Sequence, residues 1–207
     1  IDFDLKYTID TDSVSFVNLN TFKVNKIASQ GLFNQWPDSL ELNLNTFVEL
    51  QSNRLSTKNF SLATGKGSSI SGALVIANFT DFERWNYQLK APVFSIVESE
   101  WEWLEPIFKY HYLVSNLGDI NADVNLEGTL SKLSLQMDVA STQGNFSTDI
   151  FINTDSVNTP FYEGDIKLMN FNLASIVKEY NLAKINANLS VRGKGFNLKS
   201  FDTNIDG

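Results

Sequence analysis

Apolar and polar residues alternate with a period of two along almost the whole chain, the pattern of strands that turn one face to a core and the other to water. Leu40, Leu42, Leu44, Thr46, Val48 and Leu50 alternate with Glu41, Asn43, Asn45 and Glu49, and only Phe47 breaks the polar row. Ile70, Gly72, Leu74 and Ile76 follow, then Trp85, Tyr87, Leu89 and Ala91 between Asn86, Gln88 and Lys90. The second half continues with Ile120, Ala122, Val124 and Leu126, then with Leu133, Leu135, Met137 and Val139. Phe146, Thr148, Ile150 and Ile152 come next, then Tyr162, Gly164, Ile166 and Leu168, and last Ile185, Ala187, Leu189 and Val191. The pattern predicts about twelve strands of roughly ten residues, longer than most strands. Alternation reaches both ends, through Ile1, Phe3, Leu5, Tyr7 and Ile9 and through Phe201, Thr203 and Ile205, so a piece of a longer protein is expected.

Turn chemistry separates the runs at Gly65 and Gly67, Asn116 to Asp119, Gly144 and Asn145, Asn153 to Pro160, and Gly193 to Gly195. Helical spacing is scarce. Leu173, Ile176, Val177 and Tyr180 share one helical face, and Asn172 offers an N-cap, which predicts a short helix over 172–181. Residues 99–113 place Trp101, Leu104, Phe108 and Tyr112 on one face but contain Pro106, which predicts two turns joined at a kink. Thr80 and Glu83 form a capping-box pattern before the Trp85 run.

The string INADVNLEG at Ile120–Gly128 returns 65 residues later, at Ile185–Gly193, as INANLSVRG. Ile, Asn, Ala and the closing Gly are retained, and each copy follows a helical candidate, so strands plus one short helix form a tandem unit. About twelve strands at about 4.8 Å spacing make a sheet nearly 60 Å wide, beyond the size at which twisted sheets curl, split or flatten. Two short helices cannot cover its apolar face. Either the sheet closes as a sandwich or barrel around ordinary core, or it curls into a trough whose apolar concave face stays partly open to a lipid or protein. A tandem repeat adds strands in one direction and favours the trough.

Composition narrows the chemistry. The 207 residues hold no Cys, one His, 16 Lys+Arg and 24 Asp+Glu, for a net charge of −8. Thiol nucleophiles, disulfides, zinc ribbons and multi-histidine metal sites are excluded, and an acidic chain is a poor binder of nucleic acid. The longest apolar run, Ala73 to Ala77, is far short of the roughly 20 residues of a membrane-spanning helix. His111 lies between Tyr110 and Tyr112 and is read as structural or solvated. Glu98, Glu100 and Glu102, beside Trp101 and Trp103, are read as a solvated acidic face. Asp10 and Asp12 lack the Gly and distal Glu of a calcium loop, and Gly65-Lys66-Gly67-Ser68 lacks the leading Gly and strand–helix context of a phosphate loop. No catalytic residue, metal or cofactor is predicted, and the chain is read as no enzyme.

The stretch from Tyr162 to Gly207 has an aromatic-x-Gly strand, a short helix, a small-residue strand ending in Gly and a further strand, and it resembles the repeat of the TamB and AsmA-like proteins of diderm bacteria. Gly128-Thr129-Leu130 with Leu133 resembles that family's turn between strands, and Leu62 to Gly72 its Gly-punctuated hairpins. The resemblance covers 55–207, while 1–54 matches in style only. It divides the chain into a less regular repeat at 1–54, repeats at 55–118 and 119–183, and the start of another at 184–207.

The resemblance implies a mostly β fold: a long curled antiparallel sheet, the β-taco or repeating β-groove, with an apolar concave face and one or two short helices. It implies a periplasmic localisation, with the full-length protein tethered to the inner membrane, and membrane contact only through parts absent from this chain. The implied function is conduction of phospholipid acyl chains between the inner and outer membranes, in outer membrane biogenesis. The alternative is a chaperone-like translocation and assembly module for outer-membrane β-barrels, acting by strand-edge pairing with a BamA-type barrel as partner. An adhesin-like sandwich without a groove is the third reading. In the lipid reading the lining is Leu42, Leu44, Leu74, Ile76, Leu89, Val124, Leu126, Leu135, Val139, Ile150, Ile166, Leu168, Leu189 and Val191. A continuous lining spares a sliding acyl chain the cost of re-exposure to water, about 25 cal/mol per Å².

Overall fold

Side chains alternate across a strand, so a chain patterned in twos can bury its apolar set only by pairing strand to strand in a fixed register. The computed structural model describes residues 5–10, 13–18, 21–25, 39–51, 53–101, 116–155, 160–177, 184–195 and 202–207. The strands are β1 (Leu5–Asp10), β2 (Ser13–Asn18), β3 (Thr21–Asn25), β4 (Ser39–Gln51), β5 (Arg54–Thr64), β6 (Ser69–Ala77) and β7 (Asn86–Ile96). They continue as β8 (Ile120–Thr129), β9 (Lys132–Ser141), β10 (Gly144–Asn153), β11 (Phe161–Asn172), β12 (Lys184–Lys194) and β13 (Asp202–Asp206).

All thirteen belong to one antiparallel sheet, whose order follows the chain except that β2 and β3 both pair β4. β2 and β3 pair the same side of β4 in one continuous register, with Asn18 opposite Thr46 and Thr21 opposite Asn43, so together they make a single interrupted line. No ladder among the described residues joins β1 to β13, and the sheet is open. The expected mostly β, antiparallel fold with little helix is the fold observed. Among the described residues neither the two-sheet sandwich nor the closed barrel is formed.

Three strands carry bulges, and each has a reason in the sequence. In β7 the apolar set runs Tyr87, Leu89, Ala91 and then changes phase to Phe94, Ile96. A regular strand would send the second group to the polar face. Instead the register slips between Ala91 and Phe94, and both groups pair with the apolar set of β8: Leu89 with Leu126, Ala91 with Val124, Phe94 with Ala122, Ile96 with Ile120. Pro92, which has no N–H for a ladder, sits in that bulge, where an internal strand tolerates it. β5 changes phase from Leu55 and Thr57 to Phe60 and Leu62, and slips between Thr57 and Phe60. β11 changes from Leu168 to Phe171 and slips between them; there Asn170 has φ 51°, and its N–H donates to Asn186 Oδ1 at 2.8 Å. Bulges bend a strand and add local twist.

The close spacing of the strands also constrains residue size. A Cβ on Gly72 of β6 would collide with the Lys90 carbonyl of β7, and one on Gly164 of β11 with the Asp149 carbonyl of β10.

The core is a cluster of Ala91, Ile96, Trp101, Ile120, Ala122, Val124 and Val139 at one end of β7–β9. The helix α1 (Leu173–Val177) falls inside the predicted 172–181, of which 178–181 lie outside the described residues. Asn172, the predicted N-cap, closes β11, and its amide Nδ2 donates to Gln143 Oε1 at 3.0 Å. The predicted segment 99–113 begins as a 3-10 turn at Glu98–Glu100 followed by helical Trp101; 102–115, with Pro106 and His111, lie outside the described residues. The Thr80–Glu83 capping box does not form. The 3-10 turn there is Phe82–Arg84 after Asp81, and the Thr80 hydroxyl instead donates to Asn53 Oδ1 at 2.7 Å. Gly193, expected in a turn, belongs to β12, and Trp85 precedes β7, donating from Nε1 to the Phe79 carbonyl at 2.9 Å.

Candidate functional site

Directly opposed residues of antiparallel strands share a face, so the ladders assign the fourteen predicted lining positions to faces without ambiguity. One row runs Val48, Thr57, Leu74, Leu89, Leu126, Leu135, Ile150, Gly164, Val191, Ile205, from β4 through β13. On the far side of β4 it extends through Phe16 and Tyr7 by register. A second row runs Leu44, Leu62, Ile70, Phe94, Ala122, Val139, Phe146, Leu168, Ala187. Between them, Val124, Met137, Thr148, Ile166 and Leu189 form a third. Ile76 pairs with Leu55 and Tyr87 one step beyond the first row, and Leu42 with Thr64 one step beyond the second. All fourteen therefore occupy one face.

Burial along this face is uneven. Val124 and Val139 are buried in the core cluster, whereas Leu74, Ile76, Leu89, Leu126, Leu135, Ile150, Ile166, Leu168, Leu189 and Val191 are half-buried. Thr148 brings a buried hydroxyl without a hydrogen-bond partner into the third row. The opposite face is polar and exposed, with Asn121, Asp123, Asn125 and Glu127 on β8 and Glu163, Asp165 and Lys167 on β11. Its ion pairs are peripheral: Lys132 Nζ lies 3.1 Å from Asp155 Oδ2, and Arg192 Nε lies 3.6 Å from Glu163 Oε2 with its guanidinium 5.5 Å from the Phe161 ring. A depression of about 320 Å³ on this polar face is lined by Asp123, Gln136, Asp138, Asp149, Asp165 and Lys167, among others, groups unsuited to an acyl chain.

One sequence expectation is overturned. Glu100, read as part of a solvated acidic face, is 1% exposed, while Glu98 beside it is exposed. A buried carboxylate requires donors, and the β5–β6 turn supplies them. Glu100 Oε2 accepts from Thr64 Oγ1 at 2.6 Å and from the Ser68 backbone N–H at 3.1 Å. The Gly65-Lys66-Gly67-Ser68 turn, which lacks the pattern of a phosphate loop, thus presents an N–H to the chain's own carboxylate. Spacing alone carried no trace of this contact, because Thr64 and Glu100 are 36 residues apart.

No group of three or more metal-ligating side chains occurs among the described residues, and none of their helices is long and apolar enough to cross a membrane. Comparison with protein-family models, with curated proteins and with solved structures gives no match.

Proposed function

We propose that the chain is a non-enzymatic module whose apolar sheet face carries phospholipid acyl chains, within a longer periplasmic protein of the TamB and AsmA-like kind tethered to the inner membrane. The observation that supports it most is the row from Val48 to Ile205. It crosses ten consecutive strands with only Thr57 and Gly164 departing from bulky apolar residues, and the described side chains of its middle are half-buried. A contiguous apolar surface of this extent, rimmed by polar residues, marks a binding surface more often than a resting one. An acyl chain moved along the row keeps its buried area nearly constant, so each step is close to isoenergetic.

A photoreactive residue at Leu126 or Leu168, with the chain expressed in the periplasm of a diderm bacterium, tests the reading. Crosslinked phospholipid at these positions and none at Asp138 on the polar face is the expected result; no lipid adduct at either apolar position overturns it.

A further inference from the structure

Among the described residues, the apolar face is buried at one end of β7–β9 and half-buried along most of the rest. Trp101, 6% exposed, packs into the cluster of Ala91, Ile96, Ile120, Ala122, Val124 and Val139, with Phe94 and Leu117 against it. One step along the strands, Leu89, Leu126, Leu135 and Ile150 remain half-buried. Trp101 belongs to no strand; it enters from the connection between β7 and β8 and is held there by polar contacts.

Those contacts join three hairpin ends. The neighbouring Glu100 carboxylate is seated in the β5–β6 turn by Thr64 and Ser68, and Ser68 Oγ accepts the Val97 N–H at 3.0 Å. The Trp101 indole Nε1 donates to the Gly118 carbonyl at 2.8 Å. Asp119 Oδ1 accepts the Glu98 N–H at 2.7 Å, and its own N–H donates to Thr142 Oγ1 in the β9–β10 turn at 3.2 Å.

We infer that Glu100 and its turn form a clasp that holds Trp101 as a plug on the apolar face, and that an acyl chain and the plug compete for the same surface. This rests on the lipid reading of the site. The clasp has two settings because a buried carboxylate is tolerated only with its donors in place, and a half-seated one is costlier than either a seated or a fully hydrated one. A ligand that binds only the surface beneath Trp101 shifts the population toward the released setting by its differential affinity. Glu100 is a positioning residue here. It touches no ligand and acts through the residue beside it.

The chain contains no Cys, so single cysteines report cleanly. Maleimide labelling of Leu117→Cys is expected to speed up at least tenfold when Glu100→Ala is added, while Ile166→Cys, on the same face in β11, changes less than twofold. Where Glu100→Ala fails to fold, Glu100→Gln, which keeps the shape and one acceptor oxygen, carries the same comparison. Unchanged labelling of Leu117→Cys, or equal acceleration at both sites, overturns the clasp, the second because Glu100 would then merely support the whole sheet. In phosphatidylethanolamine and phosphatidylglycerol vesicles, a photoreactive residue at Phe94 is expected to capture lipid only in the Glu100 variants, and one at Leu126 in every background. Capture at Phe94 in the parent equal to that in the variants also overturns the clasp. Absence of capture at both positions instead sinks the lipid reading, and the cysteine comparison still decides the clasp.

Discussion

Asp123 of β8 stands directly opposite Asp138 of β9 on the polar face, and two strands further on Asp149 of β10 stands directly opposite Asp165 of β11. Like charges in register destabilise a ladder. Gln136 Nε2 relieves one of the four, donating to Asp149 Oδ2 at 2.9 Å, and the Ser190 hydroxyl donates to Asp165. Asp138→Asn should therefore raise stability by about 0.2–1 kcal/mol, measured by urea unfolding, with the gain shrinking as salt is added. A loss of stability would mean that the pair is held by something other than the ladder geometry.

Deleting two residues at the β7 bulge should be far worse than deleting one. Removal of Pro92 alone leaves Phe94 two positions after Ala91, so a regular β7 keeps Phe94 and Ile96 on the apolar face with their partners in β8. Removal of Pro92 and Val93 together puts Phe94 next to Ala91 and turns Phe94 and Ile96 to the polar face, withdrawing both from the core cluster. Loss of two such side chains costs several kcal/mol, on the order of 2–5 for each large truncation, enough to abolish cooperative unfolding. The single deletion is expected to fold. Circular dichroism melts of the two variants check that register, and not the loss of a residue as such, decides the outcome.

The strands were legible because period-two alternation is a local signal, and nearly every predicted run became a strand. The bulges were written in the same letters, as the change of phase after Ala91 and after Leu168, but a run read in isolation ends at such a break, whereas the paired strand continues through it. The shared face of Leu74, Leu126 and Ile150 followed from alternation plus antiparallel order. Glu100 was not legible. It lies between Ser99 and Trp101 with Glu98 and Glu102 beyond them, and the donors that make its burial tolerable come from a turn that only the assembled sheet brings near. The capping box at Thr80 failed for a similar reason, since Asn53 from the β5 end outcompeted the local partner.

Thr148 should be improvable. Its hydroxyl is buried in an apolar row without a partner, and Thr148→Val removes that group with little change in shape. A gain of about 1–3 kcal/mol is expected, read as a higher denaturant midpoint at constant m-value. Ile166→Ala in the neighbouring strand should lose stability by a comparable or larger amount.

Stability should decline on both sides of neutrality for identifiable reasons. The Asp155 carboxyl is held below the usual range by a hydrogen bond from Ser131 first, then by Lys132 through a hydrogen bond and its charge. Its stabilisation is present above the unfolded-state value of about 3.9 and is lost as pH falls through the lower folded value. Burial pushes the Tyr87 phenol above its ordinary value, and its hydroxyl donates to the Thr129 carbonyl at 2.9 Å. That contribution is intact below about pH 10 and is lost as the solution becomes more alkaline, where the unfolded chain ionises first. Urea midpoints across the pH range should lose part of their acid slope in Asp155→Asn and part of their alkaline slope in Tyr87→Phe.

From β4 to β13 the sheet takes its strands in chain order, so each pair of hydrogen-bonded strands there is also consecutive along the polypeptide. Contacts of this kind close small loops and favour rapid, stepwise assembly from any hairpin outward. Pulled by its two ends, such a molecule peels like a zipper, strand by strand, with its force extension curve a series of small teeth. Damage obeys the same rule: a lesion in β9 is felt by β8 and β10 and fades beyond them, so length can be added to or removed from the sheet without rebuilding its middle.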